Sequence, residues 1–182
     1  MRARMALRYA GVAVDIREIS LKAKPAHMLQ VSPKGTVPVL ALPDGQVIDE
    51  SLEIMIWALQ QQDDDGWLKA DNLQTQQLIA ENDGRFKQNL DQYKYASRFP
   101  EHTAEYYRTQ GEEFLAKLEL RLYQTGFLIG DTISLADIAI FPFIRQFAAV
   151  DNAWFESTDY SKLKLWLKHM VESALFQCVM EK

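Results

Sequence analysis

The stretch that decides the fold is "PKGTVPVLALPDGQVIDES", residues 33–51. Residues 37–42 are apolar and rich in valine and leucine, which predicts a strand. Pro38 lies inside that strand, although a proline has no N–H to donate to a neighbouring strand. The sequence "PDG" at residues 43–45 predicts a turn, after which residues 46–49 return as the partner strand of a hairpin.

Pro38 is compatible with a strand if the preceding peptide bond is cis, a rare bond that usually serves a purpose. A cis Val37–Pro38 bond would turn the N–H and C=O of Val37 out of the sheet, towards an extended peptide lying alongside. A helix is predicted to begin at Glu50 or Ser51, and its first N–H groups favour a carboxylate. The Ser51 hydroxyl can bind the same carboxylate, and Glu50 can accept from an ammonium group. These residues together predict a site for a small peptide with a free α-amino-acid end, and glutathione has that shape.

Composition excludes several classes of function. The 182-residue chain has a formal net charge of −5, which argues against a nucleic-acid surface. Its single cysteine, Cys178, excludes a disulfide framework and a multi-cysteine zinc site, and the three histidines have no ligand-like spacing. No apolar run approaches the length needed to cross a bilayer. The expectation is a cytoplasmic protein without a metal and without a membrane or nucleic-acid partner.

The N-terminal residues predict a helix followed by a strand. "MRARMALR" at residues 1–8 reads as an amphipathic helix that ends at Gly11. The alternative is a targeting segment, since this stretch is rich in arginine and lacks acids, but it also lacks the serines typical of one. Residues 12–19 alternate between apolar and polar side chains, which predicts a strand, and Pro25 is suited to begin a short helix.

A polar and acidic run near residues 61–73, "QQQDDDGWLKADN", predicts the domain boundary. The predicted first domain covers residues 1–62 and combines strands and helices. The predicted linker covers residues 63–73, and the second domain covers residues 74–182. Every strong pattern in the second domain has the helical period, so the fold class is α/β followed by all-α.

Three apolar stripes and one capping motif organise the second domain. Ser134 followed three residues later by Asp137 predicts a capping box, and Ile133 and Ile138 fit a hydrophobic staple around it. The helix that follows is apolar almost all round, so it is predicted to be buried, with a kink at Pro142. The stripes are Leu78, Asn82, Phe86, Leu90 and Tyr93; Ala104, Tyr107, Gly111, Phe114, Leu118 and Leu122; and Leu163, Trp166, Leu167 and Met170.

The order of "GTVPVL", "DES", a polar linker and "SLAD" resembles the glutathione transferase family over nearly the whole chain. The resemblance implies a thioredoxin-like first domain that binds glutathione. Val37, before the cis-proline Pro38, would pair with the cysteinyl backbone, and Glu50 and Ser51 would hold the γ-glutamyl group. The "LKAKP" segment is similar to the omega-like and related bacterial branch, in which Lys24 would approach the glycine carboxylate. "SLAD" looks like the family's capping box, a folding element without a catalytic role.

The sequence departs from the family at its beginning. Family members begin with a strand and then a loop that carries the catalytic Cys, Ser or Tyr, before the helix that "MRARMAL" resembles. The resemblance therefore implies that this chain lacks both the first strand and the nucleophile, either because it is truncated, which we favour, or because something else occupies the place of that strand. Cys178 lies near the opposite end of the sequence and cannot replace it. Without that strand, residues 12–19 and 37–42 would present unpaired edges.

The resemblance implies a dimeric protein with glutathione as co-substrate. The reaction would be conjugation to a small apolar electrophile or glutathione-dependent exchange with a mixed disulfide. The chain as given is expected to be inactive because the nucleophile is absent. The alternative function is a noncatalytic module for dimerisation or protein interaction, since loss of the nucleophile suits that use.

Two groups of residues in the second domain are candidates for a second-substrate pocket. Asn82 and Asp83 form a polar pair in the first long helix of that domain. Such a pair more often bonds locally or faces water. Tyr93, Tyr95 and Phe99 form an aromatic cluster that would suit an apolar substrate, although aromatic side chains at helical spacing are more often part of a core.

Overall fold

The structure, a computed structural model, describes residues 1–70 and 73–181. The chain forms two compact units, the first built on Met1–Asp65 and the second on Gly66–Met180. The division falls within the predicted linker, residues 63–73, of which residues 71 and 72 lie outside the described part. In the described ranges, no helix is both long and apolar enough to cross a membrane.

The first unit combines three helices with a two-stranded hairpin in its described residues. The elements, in chain order, are α1 (Arg2–Tyr9), α2 (Ala26–Val31), β1 (Leu40–Ala41), β2 (Val47–Ile48) and α3 (Ser51–Gln61). Helix α1 packs against α3. Met5 and Ala6 of α1 and Ile54, Met55 and Ala58 of α3 are almost fully buried, so these two helices supply the core of the unit.

Helix α1 ends as the sequence predicts. Gly11 adopts φ +65°, a left-handed conformation that glycine accepts without steric penalty. The Gly11 N–H donates to the Arg8 carbonyl at 3.2 Å and the Val12 N–H donates to the Leu7 carbonyl at 3.0 Å. These bonds satisfy carbonyls that the last turn of the helix would otherwise leave without donors.

The predicted strand over residues 12–19 is wrong for this structure, because these residues form no regular element. A strand requires backbone hydrogen bonds to a neighbour, and none of the described residues pairs with this segment as a ladder. Its apolar side chains Val14 and Ile16 are 39% and 58% exposed. The segment is connected to α1 by an ion pair between Glu18 and Arg4.

The predicted hairpin is confirmed, but its strands are shorter than expected. β1 and β2 are antiparallel, with Leu40 opposite Ile48 and Ala41 opposite Val47. The turn between them contains Gly45 at φ +91°, which is the backbone conformation for which glycine is suited.

Each observed strand has two residues, where the sequence pattern covered residues 37–42 and 46–49. Local alternation and turn residues located the hairpin correctly. They could not predict how many residues of each strand would pair. Pro38 has no N–H to contribute to a ladder, and the number of paired residues also depends on the neighbouring strand.

The second unit is helical throughout its described residues, as predicted. Its elements are a 3-10 helix (Trp67–Ala70), α4 (Leu73–Glu81), a π-helical segment (Asn82–Phe86), α5 (Lys87–Lys94), a 3-10 turn (Ala96–Arg98), α6 (Ala104–Gln124), α7 (Leu135–Val150), α8 (Asn152–Ser157), α9 (Ser161–Glu172) and α10 (Ala174–Met180). The predicted stripes face the core, since nearly all of their side chains are buried.

Helix α7 is the buried centre of this unit and packs against α4, α5 and α9. The capping box is present in both directions, with Ser134 as the N-cap and Asp137 at the third helical position. Pro142 lies inside the helix. The sequence therefore predicted correctly both where α7 begins and that nearly its whole circumference is buried.

Candidate functional site

The first component of the site is the N-terminus of α3. Glu50 is the N-cap residue with φ −109° and ψ 130°, and Ser51 is the first helical residue. The Ile54 N–H donates to the Glu50 carbonyl at 3.0 Å, which closes the first turn. The N–H groups that precede Ile54 have no acceptor within the helix, so this end of an eleven-residue helix can bind an anion.

The Glu50 carboxylate is paired with an ammonium group in the structure. Lys34 Nζ lies 2.8 Å from Glu50 Oε1 and 3.3 Å from Asp49 Oδ1. About half of both the Lys34 and the Glu50 side chain is exposed, so water screens the pair and it is weak. The geometry nevertheless places the Glu50 carboxylate where it accepts a hydrogen bond from a cation. Sequence reasoning missed Lys34, because no local pattern connects it to a residue sixteen positions away.

The second component is Val37, the residue before Pro38. The Val37–Pro38 peptide bond is cis, and the Val37 side chain is 48% exposed. Within the described ranges, the backbone N–H and C=O of Val37 form no hydrogen bond. Both groups are therefore available for the backbone of an extended ligand.

The third component is Lys24, which lies beside the loop that leads to Val37. Gly35 in this loop has φ +63°, and a Cβ placed on it would be 3.6 Å from Lys24 Nζ. The Lys24 side chain therefore lies against Gly35. Lys34, the residue before Gly35, instead pairs with Glu50. The structure brings the Lys24 ammonium close to the segment that carries Val37.

Ser32 and Asp49 fix the ends of this loop relative to each other. The buried Ser32 hydroxyl donates to Asp49 Oδ2 at 2.9 Å. This hydrogen bond, and then the one from Lys34, lower the pKa of the Asp49 carboxyl below its ordinary value of 3.8. Sequence reasoning missed Ser32 as well, because a serine in a polar loop gives no sign that it will be buried.

Removing the Ser32 hydroxyl should make stability less dependent on acid pH. A carboxyl whose pKa is lowered on folding stabilises the folded state above its unfolded pKa, and this contribution is lost as pH falls through the folded pKa. We expect Ser32→Ala to lower the free energy of unfolding at neutral pH, with the difference from the parent shrinking below pH 3.8. Urea denaturation across this range measures it, with the exposed Ser20→Ala as control. A difference that stays constant at every pH contradicts the role of Asp49.

The candidate residues of the second unit have separate environments. Asn82 is fully buried, and its Nδ2 donates to Asp83 Oδ1 at 2.8 Å. Tyr93 is buried with its ring 5.1 Å from that of Phe147, whereas Tyr95 is exposed. A role for any of them in binding a second substrate stays a prediction. In the described part of the chain, no group of three or more His, Cys, Asp or Glu residues is arranged to hold a metal ion.

Comparison with known proteins adds independent findings. The family description "Glutathione S-transferase, N-terminal domain" matches residues 1–61, and "Glutathione S-transferase, C-terminal domain" matches residues 76–169. Glutathione S-transferase omega-1 of Rattus norvegicus is 28% identical over 177 residues, which cover 92% of this chain and 70% of that protein.

Two solved structures have the same fold. A glutathione S-transferase from Rhodospirillum rubrum has a TM-score of 0.81 at 19% identity, covering 100% of this chain and 86% of the other. A glutathione transferase from Phanerochaete chrysosporium, in complex with oxidised glutathione, has a TM-score of 0.80 at 18% identity and covers 98% of this chain and 88% of the other.

The fold and the family matches together define the class of protein. The chain has a thioredoxin-like α/β unit followed by an all-helical unit, as the sequence predicted. The two family matches cover both units, and the second alone covers more than half of the chain. The chain belongs to the glutathione S-transferase family.

Proposed function

We propose that the first unit binds glutathione through Val37, which precedes the cis-proline Pro38, through Glu50 and Ser51 at the start of α3, and through Lys24. The protein would use glutathione as co-substrate, either in conjugation to a small apolar electrophile or in exchange with a mixed disulfide. Membership of the family supports this proposal. The observation that carries it is the N-terminus of α3, where free N–H groups stand next to a carboxylate that already accepts from an ammonium group.

The γ-glutamyl end of glutathione is a zwitterion, and the two charges need different partners. Its carboxylate would accept from the first N–H groups of α3 and from the Ser51 hydroxyl. Its ammonium group would donate to Glu50, in the manner of the Lys34 ammonium at 2.8 Å. The Lys34 side chain is half exposed and its ion pair is weak, so the ligand can displace it at small energetic cost.

The rest of the tripeptide would use the loop before β1. The N–H and C=O of Val37 would pair with the cysteinyl backbone, as in recognition by strand addition. Lys24, beside Gly35, would pair with the glycine carboxylate.

The 182-residue chain is expected to bind glutathione but to show little turnover. Its single thiol, Cys178, lies on α10 in the second unit. The one tyrosine of the first unit, Tyr9, accepts a hydrogen bond from the Asp65 N–H at 2.7 Å, and burial is the main cause that raises its pKa to about 12. A hydroxyl with a raised pKa is poorly suited to activate a thiol.

Calorimetric titration of the full chain with reduced glutathione tests the binding site. We expect Glu50→Gln to weaken binding about tenfold or more, because a charge-assisted hydrogen bond to the ligand ammonium is lost. Ser51→Ala should weaken it by a smaller factor, since one neutral donor is removed. Glu53→Gln is the matched control, because Glu53 lies in the same helical turn and is exposed.

Loss of affinity in Glu53→Gln as large as in Glu50→Gln would show a general charge effect and contradict the site. Absence of binding by the folded parent chain would contradict it as well.

A parallel assay of conjugation and of thiol exchange distinguishes the enzyme from the noncatalytic module. Binding without turnover favours the noncatalytic module, and turnover equal to that of a full-length relative contradicts the expected inactivity. The homodimer stays a prediction, which sedimentation equilibrium can test.

A further inference from the structure

A concave site of about 360 Å³ lies on the second unit, and none of its lining residues is assigned to glutathione. It is formed by α5, the start of α6 and the loop between them. The residues that line it are Asn89, Gln92, Glu101, His102, Tyr106, Tyr107 and Gln110. This volume suits a small organic molecule. The side chains that line it are amides, aromatic rings and one carboxylate, that of Glu101.

The aromatic side chains of this cavity hold one another in place. The rings of His102 and Tyr106 are stacked with centroids 4.0 Å apart. Tyr107 meets both edge-on, at 5.8 Å from His102 and 5.6 Å from Tyr106. Tyr107 is itself buried, and its hydroxyl donates to the Phe99 carbonyl at 3.3 Å. The cluster is therefore organised before any ligand arrives.

The charge of the cavity has one sign. Glu101 is the sole Asp, Glu, Lys or Arg side chain among its lining residues. Across the described ranges, no lysine or arginine forms an ion pair with Glu101. Burial and then the charge of Glu101 raise the pKa of the Tyr107 hydroxyl, which agrees with a negative potential at this position.

Nearby cations are engaged with other partners. Arg98 and Lys94 lie over the Tyr95 ring, at 4.7 Å and 5.1 Å from its centroid. Arg85 pairs with Glu113 at 2.8 Å. None of these three cations lines the cavity, so the carboxylate and the ring faces remain for a positive charge brought by a ligand.

We propose that this cavity binds a small organic ammonium cation. The Glu101 carboxylate would supply the counter-charge, and the faces of the Tyr106 and His102 rings that do not stack on each other would attract the cation. The carbonyl oxygens of Asn89, Gln92 and Gln110 would accept from N–H or O–H groups of the ligand. An anion would meet no lysine or arginine among the lining residues, and a neutral molecule could gain a hydrogen bond from Glu101 but no attraction between opposite charges. The chemistry of the lining residues thus selects for positive charge.

A matched pair of probes tests the proposal on the full 182-residue chain. Choline and 3,3-dimethyl-1-butanol have nearly the same shape, but only choline is charged. Amide chemical shifts in an NMR titration report both the affinity and the location. We expect choline to bind about fivefold or more tightly than the alcohol, with shifts centred on Glu101, Tyr106 and Gln110. Glu101→Gln should reduce that preference to near unity.

Glu105→Gln is the control variant, because it removes the same charge from an exposed residue of the first turn of α6 that does not line the cavity. It should leave the preference for choline intact. Equal binding of choline and the alcohol, or an unchanged preference in Glu101→Gln, overturns the proposal. A choline affinity that falls as much in Glu105→Gln as in Glu101→Gln also overturns it. Glutathione titration of the same samples is independent, since its proposed site lies in the first unit.

Discussion

Replacement of Asp137 by alanine is expected to lower the free energy of unfolding by about 3–5 kcal/mol. Asp137 is fully buried at the beginning of α7. Burial of a carboxylate is unfavourable unless hydrogen bonds replace the water that it loses. Burial raises the pKa of Asp137, and the hydrogen bonds that it accepts oppose this rise.

Asp137 accepts four hydrogen bonds. Oδ2 accepts from the Ser134 N–H at 2.9 Å and from the Ser134 hydroxyl at 2.6 Å. Oδ1 accepts from the Leu128 N–H at 3.0 Å and from the Trp166 indole N–H at 2.8 Å. One side chain therefore joins the N-terminus of α7, the preceding loop and α9. Alanine would leave these donors buried without an acceptor, which is the main source of the expected loss.

Urea denaturation followed by circular dichroism measures this effect. Asp131→Ala is the matched control, since Asp131 lies in the preceding loop and is exposed, so its loss should change stability by less than about 0.5 kcal/mol. Trp166→Phe should have an intermediate effect, because it removes one donor and keeps most of the ring. Equal stability of the Asp137→Ala and Asp131→Ala proteins would show that the four hydrogen bonds contribute nothing net.

The two halves of this hydrogen-bond cluster differ in how far the sequence could predict them. The capping box was predictable because Ser134 and Asp137 are three residues apart, and the geometry of a helix start brings them together. The indole of Trp166 is 29 residues away in sequence. Its position depends on how α9 packs against α7, which no local pattern contains. The sequence predicted Trp166 as an apolar residue and missed its donor role.

The same distinction applies to the first unit. The hairpin and the start of α3 follow from local turn and helix chemistry, and both were predicted. The strand over residues 12–19 was predicted from alternation alone, yet a strand exists only where a neighbour accepts and donates its hydrogen bonds. Lys34 and Ser32 were missed for a related reason, because their partners Glu50 and Asp49 follow the hairpin.

Aromatic residues of the second unit show a further limit of sequence reasoning. Composition singled out Tyr93, Tyr95 and Phe99 as candidates for a pocket. A role for them stays a prediction, whereas the 360 Å³ cavity described above takes its rings from His102, Tyr106 and Tyr107, which the sequence did not single out for a pocket. Helical period predicted that Tyr107 would be buried, but not that its neighbours would form a concave surface with Glu101. Concavity depends on how α5 and α6 separate near their connecting loop.

Substitution of alanine for Gly111 is expected to lower the free energy of unfolding by about 2 kcal/mol. A Cβ at Gly111 would lie 2.4 Å from Cε2 and 2.8 Å from Cζ of Phe147, closer than atoms in van der Waals contact. Phe147 is fully buried. Overpacking of such a site costs about 1–3 kcal/mol and is expected here near the upper limit. Alanine recovers about 1 kcal/mol, because it is a better helix former than glycine.

The Phe147 ring cannot move aside easily, since other rings surround it. Its centroid lies 5.4 Å from that of Phe86, 5.1 Å from Tyr93 and 6.1 Å from Trp154. Gly84→Ala is the control, because nothing lies within 4 Å of a Cβ at Gly84. That substitution should be neutral or raise stability by up to about 1 kcal/mol, through helix propensity without overpacking.

A double-mutant cycle separates steric overlap from other causes. Phe147→Leu alone should destabilise the protein, since a large ring leaves the core. If overlap with Phe147 causes the loss in Gly111→Ala, the double variant should be more stable than the sum of the single effects, by about 1 kcal/mol or more. Additive effects, measured by urea denaturation, would show that alanine at position 111 acts independently of Phe147. A Gly111→Ala protein as stable as Gly84→Ala would show that α6 and α7 can separate without loss.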